Sequence, residues 1–126
     1  MQFAYSIILH YICIVKVNVV KWVNVLEVVG DDKEMLYAFV KFYSKLRTVE
    51  WKIPNDVLQT FNSADIVKCK SGNRIVFNVG GNRYRLICGY YFGKNIIQLF
   101  VKFVGTHKEY DKVDACKIEM FKRWKN

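Results

Sequence analysis

Apolar positions along this chain repeat with two periods, and the change from one to the other divides it. Met35, Leu36, Phe39, Tyr43 and Leu46 recur at helical spacing, with Lys41, Lys45 and Arg47 mostly off that stripe, which predicts a helix over 32–47. Asp31 and Glu34 have the spacing of a capping box, with Asp in place of Ser or Thr. Pro54 suits the first turn of a shorter helix reaching Phe61. Beyond it the period falls to two. Turn signals at Asn62-Ser63, Ser71-Gly72, Gly80-Gly81 and Gly93-Lys94 separate strand-like runs at 65–70, 74–79, 82–92 and 95–104, an antiparallel meander.

Parity then assigns faces. With Gly80-Gly81 and Gly93-Lys94 as two-residue loops, Val79 faces Asn82, Phe77 faces Tyr84, Leu86 faces Val101 and Arg85 faces Lys102. Ile75, Phe77, Tyr84, Leu86, Val101 and Phe103 share a core face, and Arg74, Asn78, Arg83, Arg85, Gln98 and Lys102 the other. A three-residue loop at Ser71-Gly72-Asn73 brings Lys68 and Lys70 to that second face, so a row Lys68, Val76, Arg85, Lys102 crosses four strands. Asn82, which tolerates positive φ, shapes the hairpin turn. Thr106 and Glu109 form another capping box, starting a helix at His107 that continues through Tyr110, Val113, Cys116, Met120 and Trp124. His107 and the first backbone donors of that helix suit a phosphate.

The first thirty residues read differently. The apolar run Phe3–Val15, broken by Ser6 and His10, is too short to span a membrane, and no membrane role is expected. Met1-Gln2 supplies no basic n-region, so a signal peptide is not expected either. Between Ile12 and Val29 the β-branched content favours strands over helix. Residues 1–30 are thus an N-terminal strand or extension region, and 31–126 the main domain. The expected fold class is α+β: a small single domain with an antiparallel sheet of four to five strands and flanking helices.

Composition adds exclusions. Of 126 residues 52% are hydrophobic and 16% aromatic, enough for one core and unlike a disordered tail. The four cysteines, at 13, 69, 88 and 116, form no CxxC pair, and with His10 and His107 they lack the spacing of a structural zinc site. They are expected to be reduced thiols of a cytosolic protein. No Walker loop, GxGxxG or HExxH motif is present. The charge is lopsided: residues 1–67 hold seven basic and seven acidic side chains, while 68–126 hold thirteen basic and four acidic, so the whole +9 lies in the second half. A basic, aromatic-rich half-domain suggests a polyanion partner, nucleic acid before acidic protein.

Two blocks carry a family resemblance. Val76-Phe77-Asn78-Val79-Gly80-Gly81-Asn82-Arg83-Tyr84-Arg85-Leu86 is followed, about twenty residues on, by Phe103-Val104-Gly105-Thr106-His107-Lys108-Glu109-Tyr110-Asp111. With Glu50-Trp51-Lys52 to Pro54 and Phe61-Asn62-Ser63-Ala64-Asp65, the chain over roughly 32–113 resembles the HigB toxins, within the RelE-like group. Residues 1–30 depart from the family pattern of a short strand and a basic helix.

The resemblance implies the toxin half of a type II toxin–antitoxin module. Such a toxin is a cytoplasmic endoribonuclease that cuts mRNA, usually on the translating ribosome, and a helix-turn-helix antitoxin neutralises it. It implies no cofactor and no metal: the RNA 2′-hydroxyl attacks the adjacent phosphate. By position in the matching blocks, Arg85 would stabilise the transition-state charge, His107 would act as general acid or base, and Tyr110 would orient or stack on RNA. Lys108 and Lys102 would be further cations for the phosphate, and Lys68, Lys70, Arg74 and Arg83 contacts to RNA or ribosome. Blander roles exist for each: Arg85 in a surface salt bridge, His107 packing at a helix start, Tyr110 on an apolar stripe. A non-catalytic RNA- or ribosome-binding module on the same fold is the alternative, followed by an interaction domain whose basic surface binds an acidic antitoxin.

Overall fold

Two apolar stripes on helices close over one face of a twisted sheet, and a short irregular segment covers the other. The structure is a computed structural model, and it describes residues 16–119. The run Phe3–Val15, Cys13, and the continuation of the last predicted helix at Met120, Lys122, Arg123 and Trp124 lie outside the described residues. The elements are β1 (Lys16–Val20), α1 (Trp22–Val29), α2 (Lys33–Leu46), a 3₁₀ turn (Pro54–Asp56) running into α3 (Val57–Thr60), β2 (Asp65–Val67), β3 (Arg74–Val79), β4 (Tyr84–Phe92), β5 (Ile96–Thr106) and the single turn α4 (His107–Tyr110). The sheet order is β1-β5-β4-β3-β2. β2 through β5 are antiparallel, as expected, but β1 joins the edge of β5 in parallel, so the sheet is mixed.

The part between Ile12 and Val29 is strand only through Val20. Lys21 takes a left-handed φ of 68° and turns the chain into α1, whose Val25 and Val29 are buried. Residues 16–29 therefore contribute to the same sheet and core as the rest: Val19, Val25 and Val29 pack in one cluster with Phe39, Phe77 and Leu99. β-branched residues are only mildly poor helix formers, and burial of that stripe overrides the preference. Among the described residues, no helix is long and apolar enough to cross a membrane.

α2 buries Met35, Phe39, Phe42 and Leu46, one residue per turn along one face. Its cap is Asp32 rather than Asp31: the Asp32 carboxylate accepts from the Met35 N–H at 3.0 Å. Glu34 does not fold back to complete a capping box; it pairs with Arg83 and accepts from the Tyr84 hydroxyl at 3.5 Å. Below the helix lie interlocked rings. Phe42 meets Phe61 at 5.1 Å and Phe77 at 5.0 Å, and the Trp51 indole donates to the Thr60 hydroxyl at 2.9 Å.

The strand registers differ from those expected, in two instructive ways. The β3–β4 hairpin closes with Val79 opposite Tyr84, two positions beyond the predicted pairing. Gly80 and Gly81, with φ of 65° and 70°, begin a four-residue turn, and Asn82 bonds Arg85 through its carbonyl and side chain instead of pairing with Val79. A slip of two preserves parity, so Ile75, Phe77, Tyr84 and Leu86 stay on the helix-covered face. A slip of one does not. Between Ile87 and Cys88 a bulge interrupts the β4–β5 ladder, so Cys88 faces Val101 while Ile87 faces Phe103. Val101 remains in the main core, but Phe103 is turned to the opposite face, where it joins Val76 and Ile87 in a second small cluster. The predicted row Lys68, Val76, Arg85, Lys102 does not form. Arg85 lies between Asn78 and Gly105, Val76 between Asp65 and Ile87, and Lys68 falls in the loop after β2.

Candidate functional site

The second sheet face is where the sequence placed its chemistry, and its centre is apolar. Val76, Ile87 and Phe103 are roofed by Tyr110, Val113, Ala115 and Ile118 from the chain after β5. That chain is not the long helix expected. α4 ends at Tyr110, and the Asp114 carboxylate then accepts from the Cys116 N–H at 2.9 Å, a local bond that competes with helix continuation. A disulfide joins Cys116 to Cys69, which corrects the expectation of reduced thiols for these two. Cys88 is free and fully buried, and burial pushes its thiol far above the ordinary range.

Arg85, the residue singled out at the matching block, sits at one end of this face and is only 6% exposed. Nη1 donates to the carbonyls of Asn82 at 3.3 Å and Tyr84 at 3.2 Å, and Nη2 donates to Asn82 Oδ1 at 2.7 Å. The guanidinium carbon stands 5.6 Å from the centre of the Tyr110 ring, a cation–π distance. Among the described residues no carboxylate pairs with it. A buried arginine normally has an anion beside it, because neutral carbonyls and a ring compensate a charge only in part.

The turn carrying His107 is fixed against this arginine. Thr106 caps α4 by accepting from Glu109 N–H at 3.2 Å, and the Glu109 carboxylate accepts from Thr106 N–H at 2.8 Å, the capping box read from the sequence. The His107 N–H donates to the Arg83 carbonyl at 2.8 Å, so this backbone donor is not available to a phosphate as predicted. His107 Nδ1 is buried without a hydrogen-bond partner, and Nε2 lies 3.9 Å from Asp111 Oδ2. Lys108 is exposed on the same turn. Thr106→Ala should cost about 0.5–2 kcal/mol by loss of the cap, read from the urea midpoint. A change below about 0.2 kcal/mol would mean the β5 register alone holds the turn.

The other candidate cations are distributed unevenly. Arg74 is also 6% exposed, but it is compensated: Nε donates to the Ala115 carbonyl at 3.2 Å and Nη2 to Glu119 Oε2 at 3.2 Å. Lys102, in the bulge, donates to Glu119 Oε1 at 2.7 Å. Gly89 makes room for both, since a β-carbon there would stand 3.1 Å from Arg74 Nη1 and 3.3 Å from Lys102 Cε. Lys68 and Lys70 are exposed in the β2–β3 loop. Arg83 is on the wrong side: the hairpin turn directs it to Glu34 of α2, so it is not part of the second face.

Arg83 instead lines a groove of about 400 Å³ between α2 and the β3–β4 turn, with Tyr37, Lys41, Lys45 and Phe61 among the other walls. None of Arg85, His107, Lys108 or Tyr110 borders it.

Glu119 was not singled out from the sequence, where one acid near a basic end carries no signal. Its carboxyl is held below the usual glutamate value, first by the hydrogen bond from Lys102 and further by the charges of Lys102 and Arg74. A carboxylate whose folded value is lowered contributes stability above its unfolded value, and that contribution is lost as pH falls through the folded value. The denaturation midpoint of Glu119→Gln should therefore fall less between pH 7 and pH 3 than that of the wild type. Parallel curves for the two proteins would remove Glu119 from the acid response.

Arg85, His107 and Tyr110 are thus brought to one place, Lys108 stands beside them, and Arg74 and Lys102 are joined through Glu119 further along the face. No curated protein matches the chain. A family model does, over residues 37–113, and it describes the RelE-like toxic component of a toxin–antitoxin system. The matched span includes the hairpin that holds Arg85 and the turn that holds His107 and Tyr110, and by it the chain belongs to the HigB toxin family.

Proposed function

We propose that this toxin is a metal-independent endoribonuclease that cleaves mRNA on the translating ribosome in the cytoplasm, and that its antitoxin is a helix-turn-helix protein. The observation that carries the reading is the buried Arg85 guanidinium, which among the described residues has no carboxylate partner, near a turn whose His107 Nδ1 is also unpartnered there. Three of its five N–H donors are used within the protein, leaving two for phosphate oxygens. RNA supplies the missing anion.

In this reading the 2′-hydroxyl loses its proton and attacks the adjacent phosphorus. The P–O5′ bond then breaks, leaving a 2′,3′-cyclic phosphate and a 5′-hydroxyl. Arg85 balances the charge that grows on the non-bridging oxygens, and its rigid tether to Asn82 means that little reorganisation is needed. His107 moves a proton at the 2′-oxygen or the leaving 5′-oxygen. Tyr110 holds the guanidinium plane with its ring and can face a base with the other side. Lys108 is a second cation for the phosphate, and Lys68, Lys70, Arg74 and Lys102 extend a track for the RNA backbone.

The test is brief induction of the full chain, followed by transcriptome-wide mapping of new 5′-hydroxyl ends. The expected result is new ends inside translated regions, lost when initiation is blocked. Ends that persist without translation would remove the ribosome from the scheme. No new ends from a folded, toxic protein would favour a non-catalytic ribosome-binding module.

A further inference from the structure

Three features stand outside that function: the groove beneath α2, the buried Cys88, and the disulfide that pins the chain after α4. The last is carried furthest. We propose that Cys69 and Cys116 form a reversible thiol–disulfide switch, which fastens residues 111–119 across the RNA face and withholds Arg74 and Lys102 from the substrate. The proposal rests on the reading of this face as the RNA surface, and it adds the control of that surface.

The geometry makes the segment a strap. It has no long helix of its own, only successive turns closed by bonds such as Lys117 N–H to the Asp114 carbonyl at 3.0 Å. Non-covalently it is held by Val113, Ala115 and Ile118 on a three-residue apolar patch, by the Arg74 bond to Ala115, and by the half-exposed Glu119 pairs. The Lys102 pair is partly solvated and holds weakly, whereas the Arg74 pair is buried on the arginine side. The covalent link closes a separation of 47 residues and is the tie on which the rest of the strap depends.

The consequence for RNA is electrostatic. Glu119 answers two basic side chains at once, and Arg74 is covered as well as neutralised. With the strap fastened, Arg74 and Lys102 are withheld from RNA, and Arg85 at the other end of the face is left without them. Cys116 and Glu119 lie beyond the family match at 37–113, whereas Cys69 and Val113 lie within it.

The link is open to exchange. Cys69 and Cys116 are both half-exposed, whereas the remaining described cysteine, Cys88, is sealed in the core and does not compete. A dithiol reductant would attack one sulfur as thiolate to give a mixed disulfide. Its second thiol then attacks the reductant's own sulfur in that mixed disulfide and displaces the protein thiol still bound there, so two electrons and two protons pass to Cys69 and Cys116 and the reductant ends as its own disulfide. Disulfides that form in a reducing cytosol are commonly transient and catalytic or redox-sensing. A reducing cytosol leaves the strap open, and oxidation closes it.

The test uses the full chain, oxidised or treated with dithiothreitol, with thiols counted by maleimide mass shift. The ligand is a single-stranded RNA bearing 2′-O-methyl groups throughout, which binds but cannot be cut, titrated by fluorescence anisotropy at several salt concentrations. Reduction should tighten binding by about three- to ten-fold and steepen the salt slope by about 1.4, the share of two added cations on a single strand. Cys116→Ser and Cys69→Ser should bind like the reduced wild type under both conditions, and Glu119→Gln should recover part of the difference in the oxidised state. Matching melting curves guard against misfolded variants. Equal affinity and slope in both redox states, or no binding in either, overturns the switch, as does a peptide map without the Cys69–Cys116 pair. Unmodified RNA separates the two readings. Redox-dependent binding without cleavage keeps the strap and rejects the nuclease; cleavage with redox-blind binding does the reverse.

Discussion

Arg85→Met should reduce RNA cleavage by about 10²–10³-fold while the protein stays folded. The methionine keeps the apolar stem and removes the guanidinium. Two effects on stability then oppose one another. The carbonyls of Asn82 and Tyr84 lose their donors, which costs about 1–3 kcal/mol, but a buried charge without an anion is also relieved. Arg85→Lys should be nearly as damaging to activity, because an ammonium cannot bond Asn82 Oδ1 and also present a fork to phosphate. Arg83→Met is the control from the same hairpin. Its side chain turns to Glu34 on the helix side, so cleavage should stay within about two-fold of the wild type. Cleavage assays on purified ribosomes, with melting curves for each variant, decide the matter. An Arg85→Met protein that cuts within about three-fold of wild type would move the phosphate site elsewhere.

The largest effect on stability should come from Phe77→Ala, at about 3–5 kcal/mol. Phe77 is fully buried and touches Phe42 of α2 at 5.0 Å and Phe61, just after α3, at 5.4 Å. It is the ring on which the helices and β3 agree. A domain of this size has about 5–15 kcal/mol in all, so a third or more would be lost. Urea unfolding measures it, with exposed Tyr37→Ala, at 67% accessibility, expected within about 0.5 kcal/mol of wild type. A loss under about 1.5 kcal/mol for Phe77→Ala would mean that the aromatic layer repacks around the void. The candidate site is linked to the same ring, because β3 supports the hairpin from which Arg85 projects.

What could be read from the sequence was whatever depends on periodicity and local bonding. α2 was placed to within a residue because its apolar stripe is long, and the Thr106–Glu109 box was found because it is a bond between near neighbours. The face of Arg85 survived an incorrect hairpin loop because the error was an even number of residues. Phe103 was assigned to the wrong face because a bulge leaves no mark in an apolar run such as Leu99-Phe100-Val101-Lys102-Phe103. The face of Arg83 differs from the expected one for a similar reason: a four-residue turn frees its side chain from strand alternation, and Glu34 captures it. The Cys69–Cys116 link depends on groups 47 residues apart, which no local pattern contains. The neighbourhood of Arg85 and Tyr110 follows from the two blocks on adjoining strands, whereas the segment covering that face does not. That Arg74 and Lys102 share Glu119 follows from tertiary placement alone.

The parallel pairing of β1 with β5 sets the order in which this molecule can come into being. Lys16 lies against Ile96, so a strand made early must wait for one made 80 residues later. Contacts of such separation slow folding, since the loop must close before its reward is collected. During synthesis, Val19, Val25 and Val29 have no complete core to enter until β5 has left the ribosome. The turn bearing His107 and Tyr110 follows directly on β5. The strand that β1 needs and the turn that follows it are therefore completed together, late in synthesis, and until then the apolar edge of the early segment stands open.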